Sequence, residues 1–165
     1  MENKFSNALI TKANWSEEIE KSCQAIIEDL VVSADIAIVF ASPHFADEFQ
    51  EIADAIQETL QPIKMIGCVG DSIVSGGREI EGDPAITIWA AALPDTKIET
   101  SHLLLERVPD GGFISGTEEL PLEQITAAAE AALIVLGEPF SFPADLLLSQ
   151  LSADYPELRV LGGMA

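Results

Sequence analysis

One grammar occurs twice in this chain: a near-continuous apolar run ended by proline, an amphipathic stretch with one apolar face, and a second apolar run ending in glycine. The first copy, DIAIVFASPHFADEFQEIADAIQETLQPIKMIGCVG, covers residues 35–70, and the second, AALIVLGEPFSFPADLLLSQLSADYPELRVLGGMA, covers residues 131–165. Laid together, Ile134-Val135-Leu136 falls over Ile38-Val39-Phe40, Pro139 over Pro43, Pro156 near Pro62 and Gly162 over Gly67. Short runs apolar on both faces are the pattern of buried parallel strands, and parallel strands need a crossover, here the amphipathic helix. Each copy therefore reads as a β-α-β unit. Internal repetition and convergence on a common strand-and-turn grammar both account for the likeness, and both give the same architecture.

The remaining segments complete an α/β fold. NALIT is a short apolar run. After it, Ile19, Cys23, Ile26, Ile27, Leu30 and Val31 recur at helical spacing, with Asn14 and Glu17 placed as a capping box. On that face Cys23 reads as core. PAITIWAAAL and TKIETSHLLLE, joined by PDT, read as an antiparallel hairpin. Residues 108–119, VPDGGFISGTEE, read as a surface loop leading into a helix in LPLEQITAAAEAA, with Pro121 near its first turn. The expected architecture is a mixed sheet built from two β-α-β units and an antiparallel hairpin, with helices packed on the sheet, as a single domain spanning 1–165.

Composition narrows the partners. A hydrophobic fraction of 48% in 165 residues supports a packed core, so the charge must lie outside it. The 28 acidic and 8 basic residues leave a formal charge of −20, a field that repels nucleic acid and anionic membranes. No stretch approaches the roughly 20 apolar residues that span a bilayer, and the N-terminus lacks a basic region followed by an apolar run. The expectation is a cytoplasmic protein with reduced thiols at Cys23 and Cys68.

In α/β sheets ligands bind beyond the carboxyl ends of parallel strands. Three junctions fall there: Ala41-Ser42-Pro43-His44-Phe45, Gly67-Cys68-Val69-Gly70-Asp71-Ser72, and Gly162-Gly163-Met164. As neighbours they would line one crevice, offering backbone amides, the Ser42 and Ser72 hydroxyls and the Asp71 carboxylate to a small polar ligand. Gly76 and Gly77 extend the same glycine-rich stretch. The competing reading is that these glycines only turn the chain. Glu79, Glu81 and Asp83 alternate along an extended segment and read as a solvated edge rather than calcium ligands. Trp15 and Trp89 read as packing residues.

Catalytic grammar is thin. Gly67-Cys68-Val69-Gly70 has neither dinucleotide nor P-loop spacing, and no nucleophile elbow, H-E-x-x-H or C-x-x-C occurs. His44 and His102 are too few for zinc, and no cofactor is expected. The one enzyme reading uses Cys68 as nucleophile and His44 as its base.

IGCVGDSIVSGGREIEGDPAITIWAA, preceded by ADIAIVFASPHF and followed by LRVLGGMA, resembles the FIST N-terminal domain, a sensory module of bacterial signal-transduction proteins and some F-box proteins. The resemblance implies a small-molecule sensor whose ligand is an amino acid or related metabolite. It also implies a C-terminal FIST domain or signalling output domain as partner, this chain being the front part of a longer protein. Val69 stands where the family commonly has a small or hydroxyl residue. The alternatives are the Cys68 enzyme and a protein-interaction scaffold.

Overall fold

The computed structural model describes residues 2–108, 111–127 and 131–165. The chain divides into two compact units, Met1–Ile98 and Glu99–Ala165.

In the first unit the order is β1 (Lys4–Ile10), α1 (Ser16–Leu30), β2 (Ile36–Ala41), a 3-10 turn (Pro43–Glu48), α2 (Phe49–Leu60), β3 (Lys64–Val69), β4 (Ser72–Ser75), β5 (Arg78–Glu81) and β6 (Ile86–Ala92). β1, β6, β2 and β3 form a four-stranded sheet in that order. β2 and β3 run parallel, as their crossover through α2 requires, whereas β6 returns antiparallel between β1 and β2. The sheet is thus mixed.

The core lies where helices meet sheet. Ile19, Cys23, Ile26 and Leu30 of α1 and Ile52, Ile56 and Leu60 of α2 are buried with Ala37, Val39 and Ala41 of β2 and Ile86, Ile88 and Ala90 of β6. Alanine at alternate strand positions lets the helices approach closely; isoleucine at the others fills the space. The period-3.6 faces and period-2 faces are those of the sequence pattern. Cys23 is fully buried, and burial pushes its thiol up to about 11.

Two local details differ from expectation. α1 has Trp15, in helical conformation and without a side-chain cap, as its N-cap. Asn14 Oδ1 instead accepts from Ser16 Oγ at 3.0 Å, so no capping box forms. The Trp15 indole donates to Glu48 Oε2 at 2.6 Å, tying the start of α1 to the turn after β2. The second difference concerns the hairpin expected between PAITIWAAAL and TKIETSHLLLE. β6 forms, but residues 96–101 are not a strand, and the antiparallel hairpins lie elsewhere, at β4–β5 and in the second unit.

The second unit contains β7 (Leu104–Val108), β8 (Gly111–Ser115), α3 (Leu122–Ala127), β9 (Ala132–Gly137), α4 (Ala144–Asp154) and β10 (Arg159–Met164). β7 and β8 pair antiparallel, so what read as a surface loop is largely a strand; Pro109 and Asp110 of that stretch lie outside the described residues. Glycines at 111 and 112 and a lone isoleucine at 114 concealed it, because glycine weakens any strand pattern. β9 and β10 pair parallel across α4, the second β-α-β unit. Its core gathers Ile114, Leu122, Leu147 and Leu151. The expected helix in LPLEQITAAAEAA is described as far as Ala127.

Candidate functional site

Strand register places the site. Ile10 lies opposite Ile86, Ile86 opposite Ala41, and Ala41 opposite Val69, making one row across the sheet β1-β6-β2-β3. Everything immediately beyond that row emerges at the same end: Ser42, Pro43 and His44 after β2, Gly70, Asp71 and Ser72 after β3, and Ala85 before β6. Two of the three expected junctions therefore come together. The third does not join them through the sheet: Gly162, Gly163 and Met164 lie in β10, which pairs with β9 in a separate sheet of the second unit.

Ser42 is the anchor of this end. It is buried; its N–H donates to the Ala85 carbonyl at 2.8 Å and its hydroxyl accepts from the Ala85 N–H at 3.0 Å. The same hydroxyl lies 3.2 Å from His44 Nδ1. With its lone pair engaged by Ala85, the hydroxyl has its proton to give to Nδ1, which in a neutral imidazole puts the ring proton on Nε2. Exposed His44 then presents an N–H donor.

Gly67 and Cys68 lie inside β3 rather than in a turn. A Cβ on Gly67 would sit 2.2 Å from the Val39 carbonyl oxygen, so glycine here serves close approach of the two parallel strands. Cys68 is half-buried opposite Phe40, and burial pushes its thiol up. That is opposite to the shift that activates a nucleophile. Gly70 N–H donates to the Ala41 carbonyl at 2.9 Å, carrying the ladder one step beyond β3 and fixing where the exposed Asp71 and Ser72 begin.

Gly76 and Gly77 form the two-residue turn of the β4–β5 hairpin, with φ of +56° and +79° as a type I′ turn demands. Their turn role is accounted for. Glu79, Glu81 and Asp83 are exposed around β5, and the described residues contain no group of His, Cys, Asp and Glu suited to a metal ion. Trp15 packs on the core, and Trp89 stacks on Phe5 with ring centroids 5.8 Å apart.

In the second unit Gly162, at φ +144°, is another close approach, since a Cβ there would meet the Val135 carbonyl oxygen at 1.9 Å. Gly163 and Met164 are exposed. Sequence reasoning missed Ala85 and Glu48, because both act through partners more than thirty residues away. It also missed a groove of about 560 Å³ in the second unit, floored by Ile114, Leu147 and Leu151 and edged by Glu118, Glu123 and Asp154. Carboxylates at helical spacing near an apolar face are an ordinary surface pattern, so no signal marked it.

A parallel strand pair with polar groups gathered beyond its carboxyl ends defines a ligand-binding type of α/β domain. The chain belongs to the FIST N domain family, whose model matches residues 35–165. FIST domains are sensory domains of signal transduction rather than typical enzymes. An uncharacterized protein of Mycobacterium tuberculosis (strain CDC 1551 / Oshkosh) is 33% identical over 129 residues, 78% of this chain and 32% of that protein. An uncharacterized protein of Mycobacterium bovis is 27% identical over 146 residues, 88% of this chain and 36% of that protein. The chain thus spans about a third of the length of the curated relatives it matches. No solved structure matches it. No helix among the described residues is long and apolar enough to cross a membrane.

Proposed function

We propose that the end of the four-stranded sheet binds a small polar metabolite, an amino acid or close relative, and that a further FIST or output domain of a longer cytoplasmic signalling protein reads its occupancy. The observation carrying this reading is the row Ile10-Ile86-Ala41-Val69, beyond which His44, Asp71 and Ser72 gather at the carboxyl ends of two parallel strands. Asp71 offers a carboxylate for an ammonium group, while His44 and Ser72 offer donors for a carboxylate or carbonyl. Ser42 and Ala85 hold the platform. Gly162, Gly163 and Met164 belong to this reading only as an independent strand end of the second unit.

The Cys68 enzyme reading is the poorer one: the thiol is pushed up by burial, and His44 Nδ1 is engaged by Ser42. The test is a thermal-shift screen of the chain against amino acids and central metabolites, since a ligand that binds only the folded state raises the midpoint by mass action. A shift with one ligand class, lost in Asp71→Ala and Gly70→Val while their circular dichroism is unchanged, supports the reading. A shift that survives both substitutions places the site elsewhere, the groove at Glu118, Glu123 and Asp154 being the next location to probe.

A further inference from the structure

The two β-α-β units agree in more than outline. Val39 faces Gly67 in the first and Val135 faces Gly162 in the second. In both, the glycine lies so close to the valine carbonyl that no Cβ fits, at 2.2 Å and 1.9 Å. In both, the residue after the second strand extends the ladder by one bond of 2.9 Å, from Gly70 N–H to Ala41 and from Ala165 N–H to Gly137. The order β8-α3-β9-α4-β10 also repeats β1-α1-β2-α2-β3. Convergence on a strand-and-turn grammar explains apolar runs and prolines; it does not explain matching register and a matching backbone approach.

The units differ at one place. In the first, β3 is followed by the β4–β5 hairpin and then by β6, which pairs antiparallel with the edge of β2 that faces away from β3. Ser42 N–H donating to Ala85 O fixes the parity of that ladder, so the N–H and C=O groups of Ile36, Ile38 and Phe40 point to β6 and those of Ala37, Val39 and Ala41 to β3. By the matching register, Ala132, Ile134 and Leu136 of β9 point away from β10. Among the described residues no strand pairs with them: β9 and β10 form a sheet of two. Ile134 on this strand is 51% exposed.

We propose that this edge of β9 is an acceptor slot for an antiparallel apolar strand of the β6 type, rich in alanine and β-branched residues, supplied by the part of a longer polypeptide that follows β10. The chain order of the first unit places the filling strand after the second strand of the β-α-β unit. Two thirds of each curated relative lies outside the matched region and has room for it. A main-chain ladder would give such a contact its affinity, and the alternation of β9 its register. The slot is separate from the metabolite site and does not depend on it.

The probe is a synthetic peptide of residues 84–93 of this chain, PAITIWAAAL, on a neutral solubilising tail, with hydrogen exchange of the 165-residue chain read at single amides. Without peptide, the Ile134 and Leu136 amides are expected to exchange about a hundredfold faster than those of Ile38 and Phe40. Excess peptide should slow them about tenfold, while the same peptide N-methylated at alternate backbone nitrogens should not. Equal exchange in the two units without peptide overturns the proposal, as does equal action of the two peptides or no protection by either. Protection that appears on raising the protein concentration alone also overturns it, because a second copy would then be the occupant.

Discussion

Gly67 lies against the Val39 carbonyl so closely that a Cβ would sit 2.2 Å from its oxygen. Gly67→Ala therefore has to push β3 away from β2 or break their ladder. The expected cost is about 1–3 kcal/mol or more, of the size of an overpacked core, measured by urea unfolding of the variant. Gly163→Ala, where nothing lies within 4 Å, is expected to change stability little and serves as the control.

Ser42→Ala removes the acceptor of the buried Ala85 N–H. Leaving that group unpaired is expected to cost about 1–3 kcal/mol, whereas His44→Ala, at an exposed position, should cost much less. Chemical denaturation of the two variants separates an anchoring role for Ser42 from a ligand role for His44. Equal losses would mean that the Ser42–Ala85 bonds do not hold this strand end.

Cys68 should alkylate slowly near neutral pH. Burial raises its pKa, so the thiolate fraction falls below that of an ordinary thiol. Iodoacetamide labelling read by mass spectrometry, with free cysteine as reference, checks this, and labelling faster than the reference would revive the Cys68 nucleophile.

Cys23 sets an alkaline limit. Its thiol goes from an ordinary 9.0 to about 11 on folding, so below pH 9 both states keep the proton and no stability depends on it. Between about 9 and 11 the unfolded state ionises while the folded state does not, and stability falls with rising pH. In Cys23→Ala this component of the alkaline decline should disappear, although the variant starts less stable because it leaves a cavity. Unfolding midpoints from pH 8 to 11 give the comparison.

Val31 ends α1 in the left-handed region at φ +64°, and its side chain is 73% exposed. A β-branched residue is strained there, while glycine is not. Val31→Gly is expected to raise stability by about 1 kcal/mol, read as a higher melting temperature.

Much of the fold was legible because periodicity is a local consequence of burial. Ile19, Cys23 and Ile26 on α1 and Ile52 and Ile56 on α2 repeat at helical spacing because one face of each helix meets the sheet. Both β-α-β units could be read for the same reason. The capping box at Asn14 failed since several polar residues near a helix start compete for the same donors, and Ser16 took the Asn14 oxygen. The β7–β8 hairpin escaped notice because its glycines carry no alternation to read.

The sequence by itself determined the strand and helix identities, the parallel pairing across each crossover, the burial of Cys23 and the membership of the family. Only the tertiary structure decided that β6 returns between β1 and β2 and so puts Ala85 beside Ser42, and that β10 pairs with β9 rather than joining β2 and β3. Composition and spacing report which face of an element is buried. The choice of neighbour rests on backbone hydrogen bonds between residues far apart in the chain, and those bonds leave almost no trace in side-chain identity, apart from glycines such as Gly67 and Gly162 where two backbones come too close for any other residue.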